Sequence, residues 1–203
     1  MSTRRWVLAS GNEGKRRELE VLLAPLGIVL AAQSEWGLAG VPETGESFVE
    51  NALLKARAAA QATGLPAIGD DSGLIVDALG GAPGLRSARY ASEHGADRAD
   101  DEANIARLLA ELAETPATAR SARFVCVLVV LAHAADPDPL VARGVWEGRI
   151  ATTPRGGAGF GYDPVFEIPG LGRTAAELPA EQKNTVSHRA RALAALGAQL
   201  VAP

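Results

Sequence analysis

A chain of 203 residues with 47% hydrophobic and 22% charged positions has enough apolar side chain for a sizeable core and lies near the upper end of one ordinary domain. Its net charge of −4 excludes the broad basic footprint of a protein that grips nucleic acid or an anionic membrane. The single cysteine, Cys126, excludes an internal disulfide, and its apolar run FVCVLVVLA is far too short to span a bilayer.

In chain order, RRWVLAS (4–10) reads as a strand that runs into a glycine-containing turn. NEGKRRELEVLLAPLG then reads as a helix with Leu19, Leu22, Leu23 and Leu26 at helical spacing, ending at Gly27. A second strand is expected over 28–34 and a loop over 36–46. Ser47 is placed to cap a long Ala-rich helix that stops at Gly64, with Glu50 as its capping-box partner. LPAIG enters an acidic turn at Asp70 and Asp71 as a strand, and a further strand and a Gly/Pro-rich loop follow over 73–91. Residues 98–114 form an amphipathic helix through Ile105, Leu108, Leu109 and Leu112. The continuous apolar run 122–134 reads as a central strand, and the alternating run 139–151 pairs beside it. The stretch 154–170 is too irregular for a regular element, and a last helix runs from about Ser187 to Leu200. This order predicts one α/β domain over 1–203 with a mixed sheet.

Five stretches carry chemistry. Ser10, Gly11, Asn12, Glu13, Gly14 and Lys15 join a strand to a helix, where exposed backbone N–H groups, the helix dipole and an ammonium suit a phosphate. The GxxxxGK[ST] phosphate loop is absent, and an ordinary turn capped by Asn12 reads the same way. Asn51 and Lys55, four residues apart, share one helix face, and Glu43 precedes them in a loop. Asp70 and Asp71, followed by Ser72, place two like charges side by side, a repulsion that a divalent cation would relieve: one carboxylate would hold the ion while the other activates a water. An Asp-Asp turn is the plain alternative. Phe160, Gly161, Tyr162 and Asp163 combine aromatic faces with an acceptor that can meet a base, or anchor a loop on the core. Lys183, His188 and Arg189 gather donors near a helix start. Of the 20 basic residues only Lys15, Lys55 and Lys183 are lysines, and all three fall in these stretches.

SGNEGK, SFVENALLKA, DDSGL, PGLRSARYA, GFGYDPVF and KNTVSHR occur in the order found in the inosine/xanthosine triphosphate pyrophosphatases, and the chain resembles that family over about 5–195. The resemblance implies a two-lobed α/β fold with an elongated mixed sheet flanked by helices, a nucleotide cleft between the lobes and a homodimer; the cytoplasmic location expected here rests instead on the lone cysteine and the lack of a run long enough to span a bilayer. It also implies Mg²⁺-dependent hydrolysis of ITP, dITP or XTP to the monophosphate and pyrophosphate. Carried over by motif, Asp71 is the proton acceptor and a metal ligand, with Asp70 and Glu43 supporting the ion. Ser10 to Lys15, Asn51, Lys55 and Ser72 would hold the phosphates and sugar, and Phe160 to Asp163, Lys183, His188 and Arg189 the base. A purine 6-oxygen accepts from donors such as His188 or Arg189, whereas adenine leaves them unpaired, a discrimination on the order of 10⁴. Two other readings stay open: a Maf-like pyrophosphatase for modified pyrimidine nucleotides, and a nucleotide sensor without turnover.

Overall fold

The computed structural model describes residues 4–92 and 99–201. The chain has an α/β fold with a seven-stranded mixed sheet in the order β2-β1-β3-β4-β5-β6-β7. Its strands are β1 (Arg4–Ala9), β2 (Ile28–Ala32), β3 (Ala67–Val76), β4 (Ser121–Leu131), β5 (Leu140–Ile150), β6 (Phe166–Ile168) and β7 (Arg173–Thr174). Its helices are α1 (Glu13–Leu23), α2 (Phe48–Thr63), α3 (Asp101–Glu111), α4 (Ala180–Val186) and α5 (His188–Val201). Two compact units emerge: the first runs to Asp71 and takes in Cys126–Gly144 and the chain from His188, and the second comprises Ser72–Val125 and Val145–Ser187.

In the first unit β1 pairs parallel with β2 and with β3, in a register that sets Ala9 opposite Gly69. The turn after β1 therefore begins beside Asp70, at the carboxyl edge of parallel strands where α/β folds place ligands. Asn12 caps α1 by accepting from the Lys15 amide at 3.0 Å. A short 3-10 turn over Ala24–Leu26 ends at Gly27, which has φ of 68° and supplies the left-handed C-cap. Helix α2 buries Ala52, Ala56, Ala59 and Ala60, small side chains that let it lie close to the strands. At Gly69 the approach is so tight that a Cβ would overlap the carbonyl oxygen of Ala52. The core here joins Trp6, Leu8, Leu19, Leu23, Ile68, Leu128, Leu193 and Leu196, each burial worth roughly 1.5–3 kcal/mol for a large aliphatic side chain.

In the second unit β5 pairs antiparallel with β6, and β6 with β7. Phe124, Trp146 and Phe166 form its aromatic centre, with Phe124 and Phe166 ring centroids 4.4 Å apart, and Leu74, Leu108, Leu112 and Tyr162 pack around them.

Several expectations shift. The acidic pair lies in the middle of the continuous strand β3 and not in a turn, because pairing with β1 and packing of α2 on Gly69 override the weak strand propensity of Asp-Asp-Ser-Gly. Ser47 does cap α2 through the Glu50 amide at 3.2 Å, but Glu50 reaches the Glu46 amide at 2.6 Å, one residue before the cap. The stretch expected to be irregular holds β6, and a short helix not expected, α4, ends at Ser187, whereas the last helix starts at His188, directly after Ser187, as expected. The expected start of the third helix, residue 98, lies outside the described residues; the helix is seen from Asp101.

Candidate active site

In a strand successive side chains point to opposite faces, and this separates Asp70 from Asp71. Asp70 is fully buried: Oδ1 accepts from Lys15 Nζ, and Oδ2 from Arg189 Nε at 3.2 Å and from Cys126 Sγ at 3.5 Å. Arg189, itself 1% exposed, also pairs with Glu18. Burial opposes its charge, but Asp70 and Glu18 outweigh that and push its pKa further up. Each carboxylate in the adjacent pair thus has its own cationic partner.

Asp71 faces Lys55. The Lys55 ammonium lies 2.8 Å from Asp71 Oδ1, 2.7 Å from Glu43 Oε1 and 3.1 Å from the Asp70 carbonyl oxygen. Burial raises the Asp71 pKa, and Lys55 and Lys15 pull against that without cancelling it. For Lys55 burial acts to lower the pKa, yet the paired carboxylates win and its charge is held more firmly than usual. Beside this group opens a cavity of about 270 Å³ lined by Ser10, Gly11, Gln33, Gly40, Glu43 and Lys55.

The phosphate-type turn is present as expected, with Ser10 Oγ accepting from the Asn12 amide at 3.2 Å. Gly11 is exposed, Gly14 is half-buried, and Glu13 is exposed and paired with Arg16. Asn51 is 1% exposed; its side-chain oxygen accepts from the Gly45 amide at 2.8 Å, so it braces the loop that carries Glu43. His188 is buried next to Arg189 at the start of α5.

In the second unit Ser72 is half-buried on β3. Asp163 Oδ2 accepts from Lys183 Nζ at 2.7 Å and from the Phe160 amide at 2.9 Å, and the ammonium lies 4.9 Å from the Phe160 ring centroid. The Gly161 amide donates to Asp101 at 2.7 Å. Tyr162 does not offer the aromatic face expected of it: it is 4% exposed, packs in the core and donates its hydroxyl to the Ser87 carbonyl at 2.9 Å. Phe160 is the half-buried aromatic of this segment.

Glu18 and Asp101 escaped the sequence reading. Glu18 stands three residues after Lys15, on the same helix face, and that spacing was the available signal. Asp101 had none, since its contact is 60 residues distant.

Among the described residues no three His, Cys, Asp or Glu side chains converge into a ready-made metal cage. The pair Glu43 and Asp71 nonetheless fits a small divalent cation, which one or two carboxylates can hold together with waters and substrate phosphates. Among the described residues, no helix is long and apolar enough to cross a membrane.

A dITP/XTP pyrophosphatase from Yersinia pseudotuberculosis serotype I is 60% identical over 187 residues, covering 92% of this chain and 93% of that protein. One from Xanthomonas campestris pv. campestris is 60% identical over 190 residues, 94% of each. The solved structure of a HAM1 protein from Coxiella burnetii superposes with a TM-score of 0.87 at 47% identity, covering 97% of this chain and 98% of that one. The Staphylococcus aureus Ham1 protein gives 0.82 at 43% identity, with coverage of 97% and 98%. With the Ham1 family's sequence model matching residues 6–199 as well, the chain belongs to the Ham1 family.

Proposed function

We propose that this protein hydrolyses dITP, ITP and XTP to the nucleoside monophosphate and pyrophosphate, removing non-standard purines from the nucleotide pool. The observation that carries the reading is the Lys55 ammonium held between Glu43 and Asp71 at a cavity bordered by Ser10 and Gly11. Relatives that cover over nine-tenths of the chain bear the name dITP/XTP pyrophosphatase.

Asp71 takes the proton of the attacking water. Its burial-raised pKa makes it a better base than an exposed aspartate, while Lys55 keeps it ionised and aimed. The water oxygen bonds to the α-phosphorus, the bond from that phosphorus to the bridging oxygen breaks, and pyrophosphate leaves with the electron pair. Lys15 and Lys55 offset the charge that builds on the leaving group, and the turn from Ser10 to Lys15 supplies N–H groups to its oxygens. Glu43 and Asp71 would hold Mg²⁺, with Asp70 as a charged neighbour; when bound, the ion supplies further neutralisation of phosphate charge. Asn51 and Ser72 support the phosphate and sugar side. Phe160 gives the purine a stacking face within the segment that runs to Asp163, with Lys183 beside it. His188 and Arg189 donate to the 6-oxygen, the guanidinium plane being set by Asp70 and Glu18. We further propose a single functional domain over the chain, a homodimer, and action on the cytoplasmic nucleotide pool, with no nucleic-acid or membrane partner, as the negative net charge favours.

The test offers ITP, dITP, XTP, ATP, GTP, dTTP and UTP with Mg²⁺ and identifies the products. Pyrophosphate from ITP, dITP and XTP alone is expected. Orthophosphate release, or preference for the pyrimidines, would overturn the assignment.

A further inference from the structure

Phe160 lies between Gly159, at φ of 83°, and Gly161, at φ of 61°. Left-handed glycines on both sides leave the ring's placement weakly specified by the local backbone. Side chains from elsewhere supply the specification. Asp163 accepts from the Phe160 amide, and Asp101, 60 residues earlier, accepts from the Gly161 amide at 2.7 Å. Asp101 and Asn104 are three residues apart and so share a face of α3; Asn104 accepts from the Ala91 amide at 2.8 Å. One side of α3 therefore grips two irregular segments at once. The N-cap residue Asp100 makes no side-chain capping bond, and the Asp101 carboxylate reaches the loop.

The contact acts locally. Tyr162, Val165 and Phe166 are buried in the core, so the chain around the loop stays anchored without Asp101. The peptide between Phe160 and Gly161 is only half-buried, and the carboxylate of Asp101 is what holds its N–H.

We propose that Asp101 is a positioning residue for substrate recognition: by gripping the Gly161 amide it fixes the Phe160 ring against which the purine stacks. This rests on the reading of Phe160 as the base-facing aromatic. A hydrogen bond to a charged acceptor is among the stronger kinds, and losing it shows in binding before it shows in the chemical step.

Steady-state kinetics with ITP and Mg²⁺ on Asp101→Ala, Asp101→Asn, Phe160→Ala and the double alanine variant test this. Asp101→Ala is expected to raise KM about ten-fold with kcat within about two-fold, and Asp101→Asn, which keeps an oxygen acceptor, to recover most of that rise. The double variant is expected to match Phe160→Ala alone, since both act through one ring. A raised KM in Phe160→Ala with none in Asp101→Ala overturns the proposal and leaves the base-facing reading standing. An unchanged KM in Phe160→Ala removes that reading and the proposal with it. A lower kcat at constant KM, unrescued by Asn, assigns Asp101 a structural role and overturns the proposal. Should Asp101→Ala fail to fold, hydrogen exchange on the wild-type protein decides: a protected Gly161 amide supports the proposal, and one exchanging at the open-loop rate overturns it.

Discussion

Asp70 and Asp71 are neighbours in the chain whose carboxylates accept from different ammonium groups, Lys15 for the first and Lys55 for the second. Asp70 engages Lys15, Arg189 and Cys126, and Asp71 engages Lys55. The pleat of β3 turns the pair to opposite faces, so backbone geometry separates the two charges and gives each its own hydrogen-bonded ammonium, with Lys15 also easing the charge on Asp71.

The two aspartates should therefore fail differently. Asp71→Asn removes the proton acceptor and is expected to lower kcat by about 10²–10⁴ while the protein melts near the wild-type temperature. Asp70→Asn leaves the Lys15 ammonium without its counter-charge and the buried Arg189 with Glu18 alone, and is expected to cost about 3 kcal/mol of stability, near the low end for breaking a buried ion pair. Thermal melts with kinetics on both variants check this. Equal losses of kcat at unchanged melting temperature would show that the pair works as one unit.

Lys55 carries two carboxylates at once. In Lys55→Met the aliphatic stem is kept and the charge lost, leaving Glu43 and Asp71 to repel each other across the vacated position. A fall in kcat/KM of about 10³ is expected. Lys55→Arg should recover little of it, because a planar fork cannot replace a compact ammonium held by three oxygens. A full recovery by Arg would mean that charge alone matters there.

Local signals were legible where the cause is local. Asn12 and Ser47 cap helices, Gly64 ends α2, and Gly27 ends the 3-10 turn that follows α1, since caps and left-handed turns depend on a few adjacent residues. The four-residue spacing of Asn51 and Lys55 correctly put both on one helix face, although it could not tell that Asn51 braces Gly45 while Lys55 meets Asp71. What stayed hidden depends on distant partners. The strand through Asp70 and Asp71 is imposed by β1 and α2, the burial of Tyr162 by a core assembled from the whole second unit, and the Asp101 contact by a loop far along the chain.

Gly144 shows the same dependence. Nothing in GVWEG marks it, yet a Cβ there would overlap the backbone of His188 and Ala192, so α5 rests directly on β5 at this point. Gly144→Ala is expected to force α5 away, costing about 3 kcal/mol or more. Because α5 carries His188 and Arg189, activity toward ITP should fall as well. Gly197→Ala is the control, since a Cβ there meets only Leu26 Cδ1 at 3.9 Å, an ordinary van der Waals contact, and should be neutral or slightly stabilising. A Gly144→Ala protein with wild-type melting behaviour would contradict the packing.

Burial, and then its hydrogen bond to Glu111, push the Tyr90 pKa up to about 12, while the same bond and Arg107 hold the Glu111 carboxyl below its usual range. An unfolded chain releases the tyrosine proton near pH 10, so above that the folded state binds more protons than the unfolded one and stability declines with rising pH. The contribution is whole below about pH 10 and disappears by about pH 12. At the acid end the sign reverses: Glu111 stabilises above its unfolded pKa, and that contribution fades as pH falls through its lowered folded value. Tyr90→Phe should therefore flatten the melting temperature against pH on both flanks. Some alkaline slope should persist, because burial raises the Tyr162 pKa as well. An alkaline slope identical in Tyr90→Phe and wild type would show that the hydroxyl titrates no differently in the fold than in the open chain.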